Sequence, residues 1–133
     1  MAEMEHFSNF CGLTSALLFI VANAYYPARI IARKFTPWSK QTLTFFKRYL
    51  KAHITMNLIA LLTLILHGHY AEEQNIFLTG SFIVSVVLTV EGLLMHYRVI
   101  PGMQRHLRML HTQQALFVVW VVLIVVGHSM LEL

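Results

Sequence analysis

The chain is poor in charge. Only 12% of its 133 residues are charged, and aspartate is absent. A soluble domain of this size usually carries charge on about a quarter of its residues. The single cysteine, Cys11, excludes an internal disulfide bond. The shortage of charge indicates that much of the surface is solvated by something other than water.

Four apolar stretches explain that shortage. They predict membrane spans at about residues 8–28, 48–70, 76–97 and 107–130, each near the roughly 20 residues that cross the hydrocarbon. Backbone groups in lipid must be satisfied within their own segment, so the spans are predicted to be helices. Short connections favour antiparallel neighbours. We therefore predict an all-α membrane protein with a four-helix transmembrane up-down bundle, forming a single domain over residues 1–133.

The basic residues all lie in the loops that this topology places on one side of the membrane. All ten Lys and Arg lie in residues 29–51 or 98–108, whereas residues 68–75 and both tails carry only acidic charge. The positive-inside rule then places the two basic loops in the cytoplasm and both termini outside (N-out/C-out). We expect a bacterial or archaeal cytoplasmic membrane, or an organelle inner membrane. Because topology explains the basic residues, membrane lipid and not nucleic acid is the expected partner.

Four of the eight histidines make two pairs, one on the second predicted span and one on the fourth. His53 and His67 lie at the inner and outer ends of the second span, 14 residues apart. That spacing gives a rise of about 21 Å and an angular offset of about 40°, so one helix face presents both. His111 and His128 lie similarly on the fourth span, but their offset of about 100° requires tilt, a bulge or local unwinding. Imidazoles within a span are costly and tend to mark function.

Paired histidines on two helices are the basis of a family resemblance. The residues that carry it are His53 and His67-Gly68 on the second span, and Leu110-His111-Thr112 and Gly127-His128 on the fourth. Over roughly residues 49–130 the chain resembles the di-haem b-type membrane cytochromes. These include the transmembrane domain of ferric reductases and NADPH oxidases, and the cytochrome b subunits of respiratory complexes. The 17-residue interval on the fourth span departs from the family spacing.

The resemblance implies two haem b groups, each held by two histidines. His53 and His111 would bind the inner haem, and His67 and His128 the outer one. His69 is an alternative to His67, because it matches His128 better in depth, although it faces nearly the opposite way from His53. No C-x-x-C-H sequence is present, so covalent c-type attachment is not expected.

Other residues are weaker candidates. Arg98, Arg105 and Arg108 suit haem propionates, although topology explains them equally well. Glu91 is the only carboxylate well inside a span; it is a candidate proton or quinone site, or a carboxyl kept neutral or paired with a basic side chain. Small residues on the first and third spans favour close helix packing or leave room for a bulky ligand. These are Gly12, Ser15, Ala16, Gly80, Ser81, Ser85 and Gly92.

We therefore expect an electron-transfer subunit of an oxidoreductase complex that relays electrons between the membrane faces. At 133 residues it has no room for a flavin or nicotinamide domain, so a partner redox protein, other subunits of a larger complex, or a quinone would exchange electrons with it. One alternative is a transporter or sensor whose histidines bind a transition metal directly, although such sites usually recruit carboxylates. Another is a haem-free scaffold subunit.

Overall fold

The computed structural model describes all 133 residues and consists of helices and their connections. The helices are α1 (Ala2–Asn23), α2 (Tyr25–Phe35), α3 (Lys40–Tyr70), α4 (Ile76–His96), a 3-10 turn (Pro101–Met103), α5 (Gln104–His111) and α6 (Gln114–Leu131). Four segments are long and apolar enough to cross a membrane: Ala2–Phe35, Lys40–Tyr70, Ile76–His96 and Gln114–Leu131. The predicted all-α class with four spans is confirmed. The side on which the termini lie stays a prediction.

Several helix boundaries differ from the predicted ones. The second span was expected to begin near residue 48, but α3 begins at Lys40 and has 31 residues, about 46 Å of helix. The first helix is interrupted at Ala24, because Pro27 has no N–H to donate to the carbonyl of Asn23. The predicted fourth span is not continuous either, since Thr112 and Gln113 separate α5 from α6.

The chain forms two compact units, Met1–His69 and Tyr70–Leu133. This division leaves the single-domain expectation a prediction. In the first unit, α1 lies antiparallel to α3 along a seam that repeats every seven residues. The serine hydroxyl of Ser15 donates to the carbonyl of Ala60 over 2.9 Å in the middle of the seam. Both residues are buried. Seven residues to either side, Ser8 and Ala22 lie opposite two histidines.

The second unit is built on α4, which packs antiparallel against α6. The indole N–H of Trp120 donates to the hydroxyl of Ser85 over 2.7 Å, and both side chains are buried. Toward the start of α4, the side-chain amide of Asn75 donates to the carbonyl of Gly127 over 2.8 Å. The same asparagine caps α4, with its side-chain oxygen accepting from the N–H groups of Phe77 and Leu78.

Large apolar side chains cover the outside of these helices. Leu13, Leu17 and Ile20 on α1 are 56–63% exposed, and only 6% of the most apolar part of α3 is buried within the protein. Exposed apolar surface of this extent is not tolerated in water. The chain is an integral membrane protein whose helices contact lipid.

Candidate functional site

Helix α3 presents His53 and His67 to the same neighbour, α1. The Nδ1 atom of His53 lies 2.7 Å from the carbonyl oxygen of Ala22. The Nδ1 atom of His67 lies 2.8 Å from the carbonyl oxygen of Ser8. The two histidines are two seven-residue repeats apart, so each lies at an equivalent position on the α1–α3 seam. Both side chains are half-buried.

These distances define the form of each imidazole. A carbonyl oxygen only accepts hydrogen bonds, so Nδ1 of His53 and of His67 must be the protonated, donating nitrogen. In a neutral ring the lone pair then lies on Nε2, the nitrogen through which such a ring would ligate a metal. Ligating histidines commonly donate their other ring N–H to a backbone carbonyl, which fixes the ring and its tautomer.

The surroundings of His67 are formed by the first three turns of α1. The buried hydroxyl of Ser8 donates to the carbonyl of His67 over 3.1 Å, and its oxygen is 3.1 Å from Nδ1. Gly12 lies against the ring: a Cβ atom there would be 2.9 Å from both Nδ1 and Cε1. The missing side chain at Gly12 therefore lets the imidazole approach the α1 backbone.

The surroundings of His53 are different in chemistry. The amide nitrogen of Asn57 donates to the carbonyl of His53 over 2.9 Å and lies 3.3 and 3.4 Å from Nδ1 and Nε2. The ring of Tyr25 lies 5.7 Å from the imidazole. Tyr49, one helical turn before His53, donates to the carbonyl of Val21 over 2.6 Å. This end of the seam is lined by aromatic rings and an amide, and the other end by small residues.

In the second unit, His111 and His128 lie on separate helices. His111 is the last residue of α5, and a Cβ atom at Gly92 on α4 would be 2.9 Å from its Cε1. His128 lies on α6, is exposed, and holds its Nδ1 2.9 Å from the carbonyl of Ile124. The angular offset predicted for one continuous helix therefore does not apply. Local unwinding at Thr112–Gln113, one of the three ways to reorient His128, is present.

The remaining predicted residues are His69, three arginines and Glu91. His69, the alternative to His67, is exposed at the end of α3. Arg98, Arg105 and Arg108 are also exposed, at the α4–α5 connection and on α5. Glu91 is half-buried beside Gly92, and its Oε2 atom is buried with no hydrogen-bond partner. Within either unit, no three His, Cys, Asp or Glu side chains come together as a metal-ion site would need.

The sequence did not identify the partners of the histidines. Gly12 and Gly92 were noted only as small residues, and each lies against a candidate ligand, whereas Gly80 meets Leu123 in ordinary packing at 3.6 Å. Ser8 was missed. The seven-residue repeat of Ser8, Ser15 and Ala22 on α1, matched by His53, Ala60 and His67 on α3, is the signal that would have found it. Comparison with protein-family models, with curated proteins and with solved structures gives no match.

Proposed function

We propose that the protein is a membrane cytochrome b subunit that binds two haem b groups and passes electrons between the two membrane faces. The observation that carries the proposal is the matched geometry of His53 and His67. Each holds Nδ1 against a carbonyl of α1, at 2.7 and 2.8 Å, as is common in histidines that ligate a metal through Nε2. Imidazole is a common axial ligand of haem iron.

The spacing of the His53 and His67 rings supports two haem groups and not one. Their Cα atoms are separated by 14 residues of helix, a rise of about 21 Å, within hydrocarbon about 30 Å thick. One ligand of α3 thus serves each half of the bilayer. The second ligands in the proposal, His111 for the inner group and His128 for the outer one, are assigned from the sequence.

The bound haem would supply reversible one-electron chemistry, and the chain would supply its orientation and surroundings. The carbonyls of Ala22 and Ser8 keep both rings of α3 in one tautomer. In this proposal a quinone or a redox protein exchanges electrons at one face and a second redox partner at the other. Glu91, with its unsatisfied carboxyl oxygen, is the candidate for a proton or quinone headgroup.

Visible spectroscopy of the detergent-purified protein tests this function. Oxidised and dithionite-reduced spectra are recorded, and haem is quantified as the pyridine haemochrome. We expect sharp reduced b-type bands and two haems per chain. The absence of a Soret band in protein produced with ample haem would overturn the proposal, and metal analysis would then separate a metal transporter from a scaffold.

Single histidine variants assign the ligands. His53→Ala and His67→Ala are each expected to remove one haem and leave the other. His106→Ala is the control, because its side chain is exposed near a helix end, and it should keep both haems. His69→Ala tests the alternative outer ligand and should also keep both haems if His67 is the ligand. If His69→Ala removed a haem and His67→Ala did not, His69 would be the outer ligand.

A further inference from the structure

We infer that Ser8 is a positioning residue that lowers the reduction potential of the haem bound by His67. This inference rests on the proposed haem function. It begins from a difference between the two otherwise equivalent positions on the α1–α3 seam. At His67 a serine hydroxyl adjoins the imidazole, whereas at His53 the corresponding residue of α1 is Ala22, which has no polar side chain.

The direction of each hydrogen bond around Ser8 follows from the available groups. The carbonyl of His67 can only accept, so the Ser8 hydroxyl donates its proton there, over 3.1 Å. The hydroxyl oxygen then turns lone-pair density toward Nδ1 of His67, also at 3.1 Å. Ser8 is only 3% exposed, so water does not compete for either contact.

The Nδ1–H group of His67 is therefore shared between two acceptors of one residue. These are the carbonyl oxygen of Ser8 at 2.8 Å and its hydroxyl oxygen at 3.1 Å. The side chain next to His53 is instead Asn57, which brings an amide N–H, a donor, to 3.3 Å from Nδ1. A second acceptor on Nδ1–H increases the negative character of the ring.

A more basic imidazole is a stronger electron donor through Nε2. Stronger donation stabilises ferric over ferrous iron, and hydrogen bonding to the axial ligand is one of the means by which a protein sets a haem potential. The hydroxyl of Ser8 thus makes the His67 haem harder to reduce. The two haems of one chain then differ in potential, although both are held by α3.

A redox titration of the purified, haem-loaded protein tests this inference. We expect Ser8→Ala to raise the reduction potential of one haem. The expected size is a few-fold change in the equilibrium constant for reduction of that haem, and a tenfold change corresponds to about 59 mV for one electron. The other haem should keep its potential. Ser8→Cys replaces the hydroxyl with a somewhat larger thiol that is a weaker acceptor, and should shift the same haem in the same direction.

Ser15→Ala is the matched control. Ser15 lies one repeat along the same face of α1, is equally buried, and donates to a carbonyl of α3, but it adjoins no histidine. It should leave both potentials unchanged. An equal shift in Ser15→Ala would reduce Ser8 to a packing role and overturn the inference. If every variant binds two haems and no potential shifts, the inference is overturned but the proposed function stands. If the wild-type protein binds no haem, the proposed function is overturned as well.

Discussion

The imidazole of His111 lies over Gly92 so closely that a Cβ atom at residue 92 would be 2.9 Å from His111 Cε1. A Cβ atom does not approach another non-bonded carbon atom to that distance, so Gly92→Ala must displace the ring. The displacement is feasible because His111 ends α5, next to the interruption at Thr112 and Gln113. We expect Gly92→Ala to lose or weaken one of the two proposed haems, measured as haem per chain and as a changed reduced spectrum.

Gly80→Ala is the control for this substitution. Gly80 lies on the same helix, α4, and a Cβ atom there would meet Leu123 at an ordinary 3.6 Å. It should keep the full haem content. Equal haem content in Gly92→Ala and Gly80→Ala would show that the ring of His111 is not held by this contact or does not bind haem.

Asn75 joins the two long helices of the second unit at one end. Its side-chain oxygen accepts from the backbone N–H groups of Phe77 and Leu78 at 3.1 and 3.0 Å, and its amide donates to the carbonyl of Gly127 at 2.8 Å. Asn75→Ser keeps a capping oxygen but is too short to reach Gly127, so we expect a loss of about 1 kcal/mol of unfolding free energy. Asn75→Ala removes both functions and should cost about 2 kcal/mol.

Unfolding in mixed detergent micelles, followed by circular dichroism, measures both variants. The difference between the serine and alanine variants isolates the cap of α4, and the difference between the serine variant and wild type isolates the bond to Gly127. Equal stability of wild type and Asn75→Ser would mean that the bond to Gly127 contributes nothing in the membrane protein.

Arg98 lies just beyond the end of α4, in a backbone conformation that is unfavourable for a residue with a side chain. Its φ is +50°, and the N–H of Val99 bonds back to the carbonyl of Leu94 over 3.2 Å, as in helix ends that normally carry glycine. We expect Arg98→Gly to be about 1 kcal/mol more stable than Arg98→Ala, since only glycine adopts positive φ without strain. The comparison uses two variants that lack the charge, so thermal unfolding of the pair reports the backbone alone. Equal melting temperatures would exclude strain at this position.

Much of the fold followed from the sequence. Apolar length and the need to satisfy backbone groups in lipid predict four helices, and the spacing of His53 and His67 predicts that they share a face. In the structure both rings contact α1. These predictions succeed because they depend on local periodicity and on the thickness of the bilayer, which a single sequence contains.

The misjudged features depend on contacts between helices. The predicted fourth span, residues 107–130, runs through Thr112 and Gln113, which leave the helix after His111. The polar and aromatic residues from Lys40 onward lie outside the predicted second span, yet they belong to α3. A lone serine such as Ser8 belongs to no recognisable sequence motif. It becomes a candidate only because the antiparallel seam brings it to His67.

Glu91 places a carboxyl group inside the apolar helix α4. Its Oε2 atom is buried and lacks a hydrogen-bond partner, and an unsatisfied buried polar atom costs about 1–3 kcal/mol. Glu91→Leu removes the group, so we expect the unfolding free energy in detergent to rise by about that amount. Glu72→Leu, in the exposed connection before α4, should leave it unchanged. Lower stability in Glu91→Leu would mean that the carboxyl has a partner in the assembled protein.

The Glu91→Gln variant separates a functional role of the Glu91 carboxyl from its effect on protein stability. Glutamine keeps the shape and polarity of the side chain but cannot donate or accept a proton as a carboxylic acid does. We expect both Glu91 variants to keep both haems. If the carboxyl serves a proton or a quinone headgroup, both should slow haem reduction by a quinol, measured by stopped-flow absorption, although only the leucine variant is stabilised. A protein that gains stability and keeps its reduction rate would assign no role in electron transfer to Glu91, whereas a stabilised and slowed protein would explain why an unsatisfied carboxyl is kept in the membrane.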